Sequence, residues 1–235
     1  MSPTRPVNQL LEYLPGRERD RILEHCETVE LLFGDILCQP EQPYKHVYFP
    51  VTAFISLLGI VDAHPPLVVG LIGYEGMLGV TMVLGIRDAP LRGMVQGPGS
   101  ALRLATAQFR RLLRENPALV RTLNRYLFIT TTQRALTVAC THFHEVDRRL
   151  ARWLLMSHDR AHADHFHLTH QDLADMLGVQ RSAVTIAAGA LQQRNIISYT
   201  RGEINVLSRK ELEEESCECY EATNDDHARF FTDRK

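Results

Sequence analysis

The chain has 235 residues, 45% apolar and 23% charged, with a net charge of −2: an ordinary soluble globular mix whose overall charge names no partner. No apolar run approaches the roughly 18 residues that would cross a bilayer, and the opening MSPTRPVNQLLEYLPGRERD lacks the charged-then-apolar order of a signal peptide. A cytoplasmic protein is expected, its five cysteines free thiols rather than a disulfide framework.

In chain order, residues 7–27 predict one or two short helices, with Leu10, Leu11, Leu14, Ile22 and Leu23 near helical spacing. From about Val29 to Leu104, short β-branched and apolar runs alternate with turn residues, which predicts an antiparallel sandwich or roll. Thr106 reads as the N-cap of a helix ending near Asn116-Pro117. Pro117 suits the first turn of the next helix, which meets no breaker until about Cys140. Along it Leu119, Leu123, Tyr126, Thr130, Gln133, Thr137 and Cys140 form a stripe that starts apolar and becomes polar. Such a stripe packs on its own domain or pairs with a second copy. THFHEV (141–146) reads as a hinge, and Arg148–Asp159 as a helix with Leu150, Trp153, Leu154 and Leu155 inward.

The stretch LADMLGVQRSAVTIAAGALQQRNII (173–197) carries a further signal. Thr169 followed by Asp172 resembles a capping box for a helix over roughly 170–177. Gly178 ends that helix in a turn where a Cβ would be hindered, and a second helix runs from about Arg181 to Gln193. Between Met176 and Gly202 the only formal charges are Arg181, Arg194 and Arg201. A helix lying in the major groove must keep carboxylates away from phosphates, which explains the missing acids. IISYTRGEINVL then reads as a two-stranded hairpin with Arg201-Gly202 at its turn, the wing of a winged helix-turn-helix. A plain helical hairpin in a core is the competing reading. The acid-free window, the Gln180-Arg181-Ser182 start and the appended hairpin favour DNA binding.

LTHQDLADMLGVQRSAVTIAAGALQQRNIISYTRGEINV resembles the DNA-binding domain of Crp/Fnr-type bacterial transcription regulators. The resemblance implies an α+β chain: a β-roll effector domain over 1–116, a dimerisation helix over 117–141, a winged helix-turn-helix over 145–215, and an acidic C-terminal tail over 216–235. It implies homodimers that read palindromic double-stranded DNA, with RNA polymerase as a further partner, and an effector in the β-roll. Carried over by residue, Arg181 and Ser182 fall on base-reading positions with Gln180 beside them. Thr185 lies one turn on, Thr169 and Gln171 match phosphate contacts, and Arg201 is in the wing. Ile186 stands where many members have a polar reader. Leu119, Leu123, Tyr126, Leu127 and Gln133 are the expected dimer interface.

The effector is not legible. Glu75, Arg87 and Arg92 are the candidate effector residues. Glu75 resembles the ribose-binding glutamate of cyclic-nucleotide members, and Arg87-Asp88-Ala89 their phosphate element. Asp88 puts a carboxylate where that element has a hydroxyl, which would repel a phosphate. Counting back from Phe109 instead puts Ala89, followed by Pro90, at the arginine position; on either count the phosphate site is damaged. Cyclic nucleotides are therefore not expected, nor is an iron–sulfur cluster, with only Cys26 and Cys38 early in the chain. Histidines such as His46 and His64 carry no haem motif. The His-rich segment holds His158 and His162 at i,i+4 spacing but reads as a solvated loop, and Cys217-x-Cys219 is a weak metal signal whose plainer reading is helix packing. No metal site is expected. No nucleophile–base pair, phosphate loop or closed metal set marks an enzyme.

Overall fold

A computed structural model describes residues 7–161 and 163–232. The chain divides into two compact units, Met1–Leu57 with Leu71–Thr130, and Leu58–Gly70 with Thr131–Lys235. It opens on α1 (Gln9–Glu12) and α2 (Gly16–Leu23), as the leucine spacing predicts. Asn8 caps α1 by accepting from the Leu11 amide, and its own amide group donates to the carbonyls of Pro50 and Gly76. A buried asparagine with donor and acceptor both satisfied anchors the start of the chain.

Seven strands follow: β1 (Glu27–Leu31), β2 (Ile36–Cys38), β3 (His46–Pro50), β4 (Phe54–Gly59), β5 (Leu67–Ile72), β6 (Arg92–Gly97) and β7 (Gly99–Ala105). They form two sheets, ordered β1-β7-β3 and β2-β6-β4-β5. The registers of β7 against β1 and β3, and of β2 against β6, are antiparallel, the expected roll. Phe49, Phe54 and Ile55 fill its interior with Phe109 and Leu112 of the next helix, α3 (Thr106–Glu115). Thr106 is not the N-cap. That position belongs to Ala105, with no side-chain cap, and the Thr106 hydroxyl donates to the Tyr44 carbonyl instead.

The long helix α4 (Pro117–Phe143) runs one turn past its expected end. Leu119, Leu123 and Tyr126 are 1%, 0% and 2% exposed within their own chain, so they are not open to a partner. Periodicity marks a buried stripe without saying what buries it. Leu127 and Gln133 are half-buried. The exposed stripe of α4 holds Arg121, Asn124, Phe128, Ala135 and Val138.

In the second unit α5 (Val146–Ala161) is buried on almost every side and packs against the remaining helices. They are α6 (His170–Leu177), α7 (Arg181–Gln193), α8 (Arg209–Glu215) and α9 (Cys219–Thr232). The strands β8 (His165–His167), β9 (Ile197–Thr200) and β10 (Glu203–Val206) form an antiparallel sheet in the order β8-β10-β9. Two expectations are corrected here. Part of the His-rich loop is the strand β8, and the acidic tail is the helix α9, seated by buried Tyr220, Thr223 and Phe230. His162 lies outside the described residues. Among the described residues no helix is long and apolar enough to cross a membrane.

A Cβ on Gly76 would fall 1.9 Å from the Tyr126 hydroxyl, which also accepts from the Met77 amide at 3.3 Å. Gly76→Ala should therefore destabilise the protein by about 1–3 kcal/mol in urea unfolding. In a Tyr126→Leu background most of that loss should vanish. An equal loss in both backgrounds would remove Tyr126 as the cause.

Candidate nucleic-acid interface

The helix pair α6–α7 is set by local chemistry. The Thr169 hydroxyl accepts from the Asp172 amide, and the Asp172 carboxylate accepts from the Thr169 backbone amide, a complete capping box. Gly178 then takes φ +64°, the left-handed turn that stops α6. Leu173, Ala174 and Leu177 of α6 and Val184, Ala187 and Ala188 of α7 are buried. At the far end Asn195 has φ +58°, and the Ile196 amide returns to the Leu191 carbonyl, which ends α7.

This packing leaves one face of α7 in solvent. Gln180, Arg181, Ser182 and Thr185 are exposed, and Ile186 is 75% exposed. Gln180 is the N-cap and makes no side-chain cap bond, so α7 starts without a side-chain cap beside the exposed Arg181. The wing is a two-residue turn, Arg201 at φ +54° and Gly202 at φ +89°, the left-handed pair that joins twisted strands. Arg201 is exposed at its tip. Among the described residues no carboxylate pairs with Arg181 or Arg201, whereas Arg194 is bound to Glu215 at 2.8 Å.

The other candidates divide. Thr169 is half-buried, with its hydroxyl and its amide both engaged by Asp172 in the cap. Gln171 is exposed, its amide donating to Asp175 at 2.8 Å. In the β-roll, Glu75 is buried and accepts from the Gly73 amide, Arg92 donates to Gln39, and Arg87 points into solvent. Each has its own surroundings, and none of these bonds joins them into one site. A buried pair that sequence alone does not reveal is Ser56 with Gln96, whose side-chain Nε2 has no partner. One group of donors could hold a metal: Cys140, His144, Cys217 and Cys219. The sequence marks only the C-x-C of that group, and weakly.

A helix-turn-helix with an exposed, acid-free second helix and a basic wing defines a DNA-binding regulator. Residues 148–215 match the family model described as the Crp-like helix-turn-helix domain. The chain is similar to the global nitrogen regulator of Synechocystis sp., at 25% identity over 216 residues, 88% of this chain and 93% of that protein. FixK2 from Bradyrhizobium japonicum has the same fold, with TM-score 0.68 and 15% identity over 82% of this chain and 98% of that one. So does the c-di-GMP responsive global regulator CLP of Xanthomonas campestris, with TM-score 0.66 and 14% identity over 82% and 99% of the two chains. Together these matches identify a Crp-like helix-turn-helix domain and support a Crp/Fnr-type DNA-binding transcription regulator.

His170 links the two helices to the wing. Its ring stacks on Tyr199 at 4.1 Å, and its Nδ1 lies 3.0 Å from the Thr185 hydroxyl, which donates to the Arg181 carbonyl. The ring's Nε2 is buried without a partner. Burial first, and the charge of Arg181 second, push the His170 pKa below its ordinary value. A depressed folded value means that the unfolded chain binds the proton more readily. The stabilisation is whole above about pH 6.5 and is lost as pH falls through the folded value. NMR titration should find His170 below the ordinary histidine value of about 6.5. A value at or above it would overturn the buried-Nε2 arrangement.

Proposed function

We propose that this regulator acts in the cytoplasm as a homodimer on two-fold symmetric DNA, reading bases through α7 and gripping the backbone through the wing. The observation that carries the reading is the exposed face of α7 with Arg181 unpaired at its start. Arg181 suits the bidentate contact to guanine O6 and N7, and Ser182 either base. Ile186, apolar and outward, suits a thymine methyl. Thr185 and Gln171 reach phosphates or base edges once their internal bonds open. Arg201, at a hairpin tip, suits a phosphate.

The dimer in this reading uses the exposed stripe of α4 around Phe128, Ala135 and Val138, not the buried leucines. Phe128 is 69% exposed and Val138 70%, apolar surface that a helix–helix seam would cover. An effector in the β-roll would bias the dimer between states. A regulator seated at a promoter acts on RNA polymerase, its second macromolecular partner here.

Arg181→Ala should cost about 1–3 kcal/mol on the preferred duplex and much less on scrambled DNA. Arg201→Ala should weaken both duplexes alike and lower the salt slope by about one unit for each phosphate the wing no longer reaches. Equal loss on both duplexes for Arg181→Ala would reduce α7 to a packing helix.

Phe128→Asp should shift the protein to monomers in sedimentation and abolish specific binding while preserving the circular dichroism of the fold. An unchanged dimer would place the interface elsewhere.

A further inference from the structure

The last turn of α4 and the turn between α8 and α9 bring four soft donors together. Cys140 Sγ lies 3.6 Å from Cys217 Sγ, and Cys219 Sγ lies 3.7 Å from His144 Nδ1. All four ligand atoms lie within 4.8 Å of one another, with the three cysteines buried and His144 half-buried. Tetrahedral zinc, with bonds of about 2.3 Å to sulfur and about 2.0 Å to nitrogen, sets its donors roughly 3.5–3.8 Å apart. The Cys140–Cys217 and Cys219–His144 approaches already have that length. A multi-iron cluster distributes its thiolates over several irons and needs a wider cage.

Two features beyond the donors point to a metal. His144 turns Nδ1 to Cys219 and donates from Nε2 to Glu218 at 3.2 Å. Metal-binding histidines are held in this way, their second ring nitrogen given to a carboxylate. The other feature is Arg152, 1% exposed, with Nε lacking any partner. Its Nη2 reaches only the hydroxyl oxygens of Thr137 and Thr223, each at 3.4 Å. Those residues stand within one turn of Cys140 and Cys219, and the charge of Arg152 acts on both thiols. Among the described residues no carboxylate pairs with this buried guanidinium, and an uncompensated buried cation is strongly unfavourable. A divalent ion held by three thiolates and a neutral imidazole carries one net negative charge, the counter-ion Arg152 lacks.

We propose that Cys140, His144, Cys217 and Cys219 bind one zinc ion in a closed Cys3His site. Thiolates and imidazole select a soft or borderline cation, and four protein ligands leave no open position for catalysis. Cys217 and Cys219 lie just beyond the helix-turn-helix match at 148–215, so the site clasps the segment after that domain to the end of α4. Binding releases the thiol protons to solvent and changes no oxidation state. A Cys140–Cys217 disulfide would use two of the donors and leave Arg152 without an anion.

The test uses the full chain, purified under a thiol reductant, stripped with chelator and titrated with Zn2+ or Co2+ alone. The expected result is one ion per chain, a raised melting temperature, and cobalt spectra with tetrahedral visible bands and thiolate charge transfer. Cys217→Ser with Cys219→Ser should abolish uptake, while Cys26→Ser with Cys38→Ser should leave it intact. His144→Cys, at a half-exposed position, should keep the ion and strengthen the charge-transfer band, which guards against a double variant that fails to fold. Glu218→Gln should weaken zinc binding by about tenfold or more. Substoichiometric uptake by wild type, equal uptake by the double serine variant, or a Cys140–Cys217 disulfide persisting under reductant would overturn the proposal.

Discussion

The packing of α6 against α7 is the constraint on which the proposed DNA-reading surface depends. Ala174 on one helix and Ala187 and Ala188 on the other are small and buried, and Gly178 turns the chain sharply between the helices. A larger side chain at any of these positions would move α7 as a rigid body, because a packed interior transmits strain rather than absorbing it. Everything exposed on α7 is therefore aimed by residues that never meet solvent. The capping box at Thr169 and the His170–Tyr199 stack fix the same pair from its edge.

The electrostatics complete what the packing begins. Acids are not absent from the second unit; those near the reading surface are occupied. Asp172 closes a cap, Asp175 accepts from Gln171, Glu203 faces His167 at 2.8 Å, and Glu215 holds Arg194. Arg181 and Arg201 are the cations left over. A surface can thus be locally positive in a chain of net charge −2, because what a phosphate meets is the local field screened over about 10 Å.

What is legible in the sequence is what is local. Capping box, turn glycine and wing turn each lie within a few residues, so their chemistry is written consecutively. The role of α4 is not legible in this way. Its buried stripe is real but is covered by its own chain, and only tertiary contact tells that stripe from the one holding Phe128. The cysteine–histidine cluster escapes sequence reasoning for a different reason. Cys140 and Cys217 are 77 positions apart, and no spacing rule spans a folded domain. Glu75, Arg87 and Arg92 lie closer in sequence yet have separate surroundings, so proximity along the chain overstates them.

The wing turn has a consequence for selection. Arg201 holds a left-handed backbone, φ +54°, that glycine or asparagine adopts with less strain, at a cost on the order of 1 kcal/mol for a residue with a Cβ. The hairpin carries an arginine at a position where stability alone would place glycine. A library of this protein screened only for heat resistance would drift toward Arg201→Gly and gain a firmer fold. On the proposed role of Arg201 it would lose its hold on the phosphate backbone in the same step.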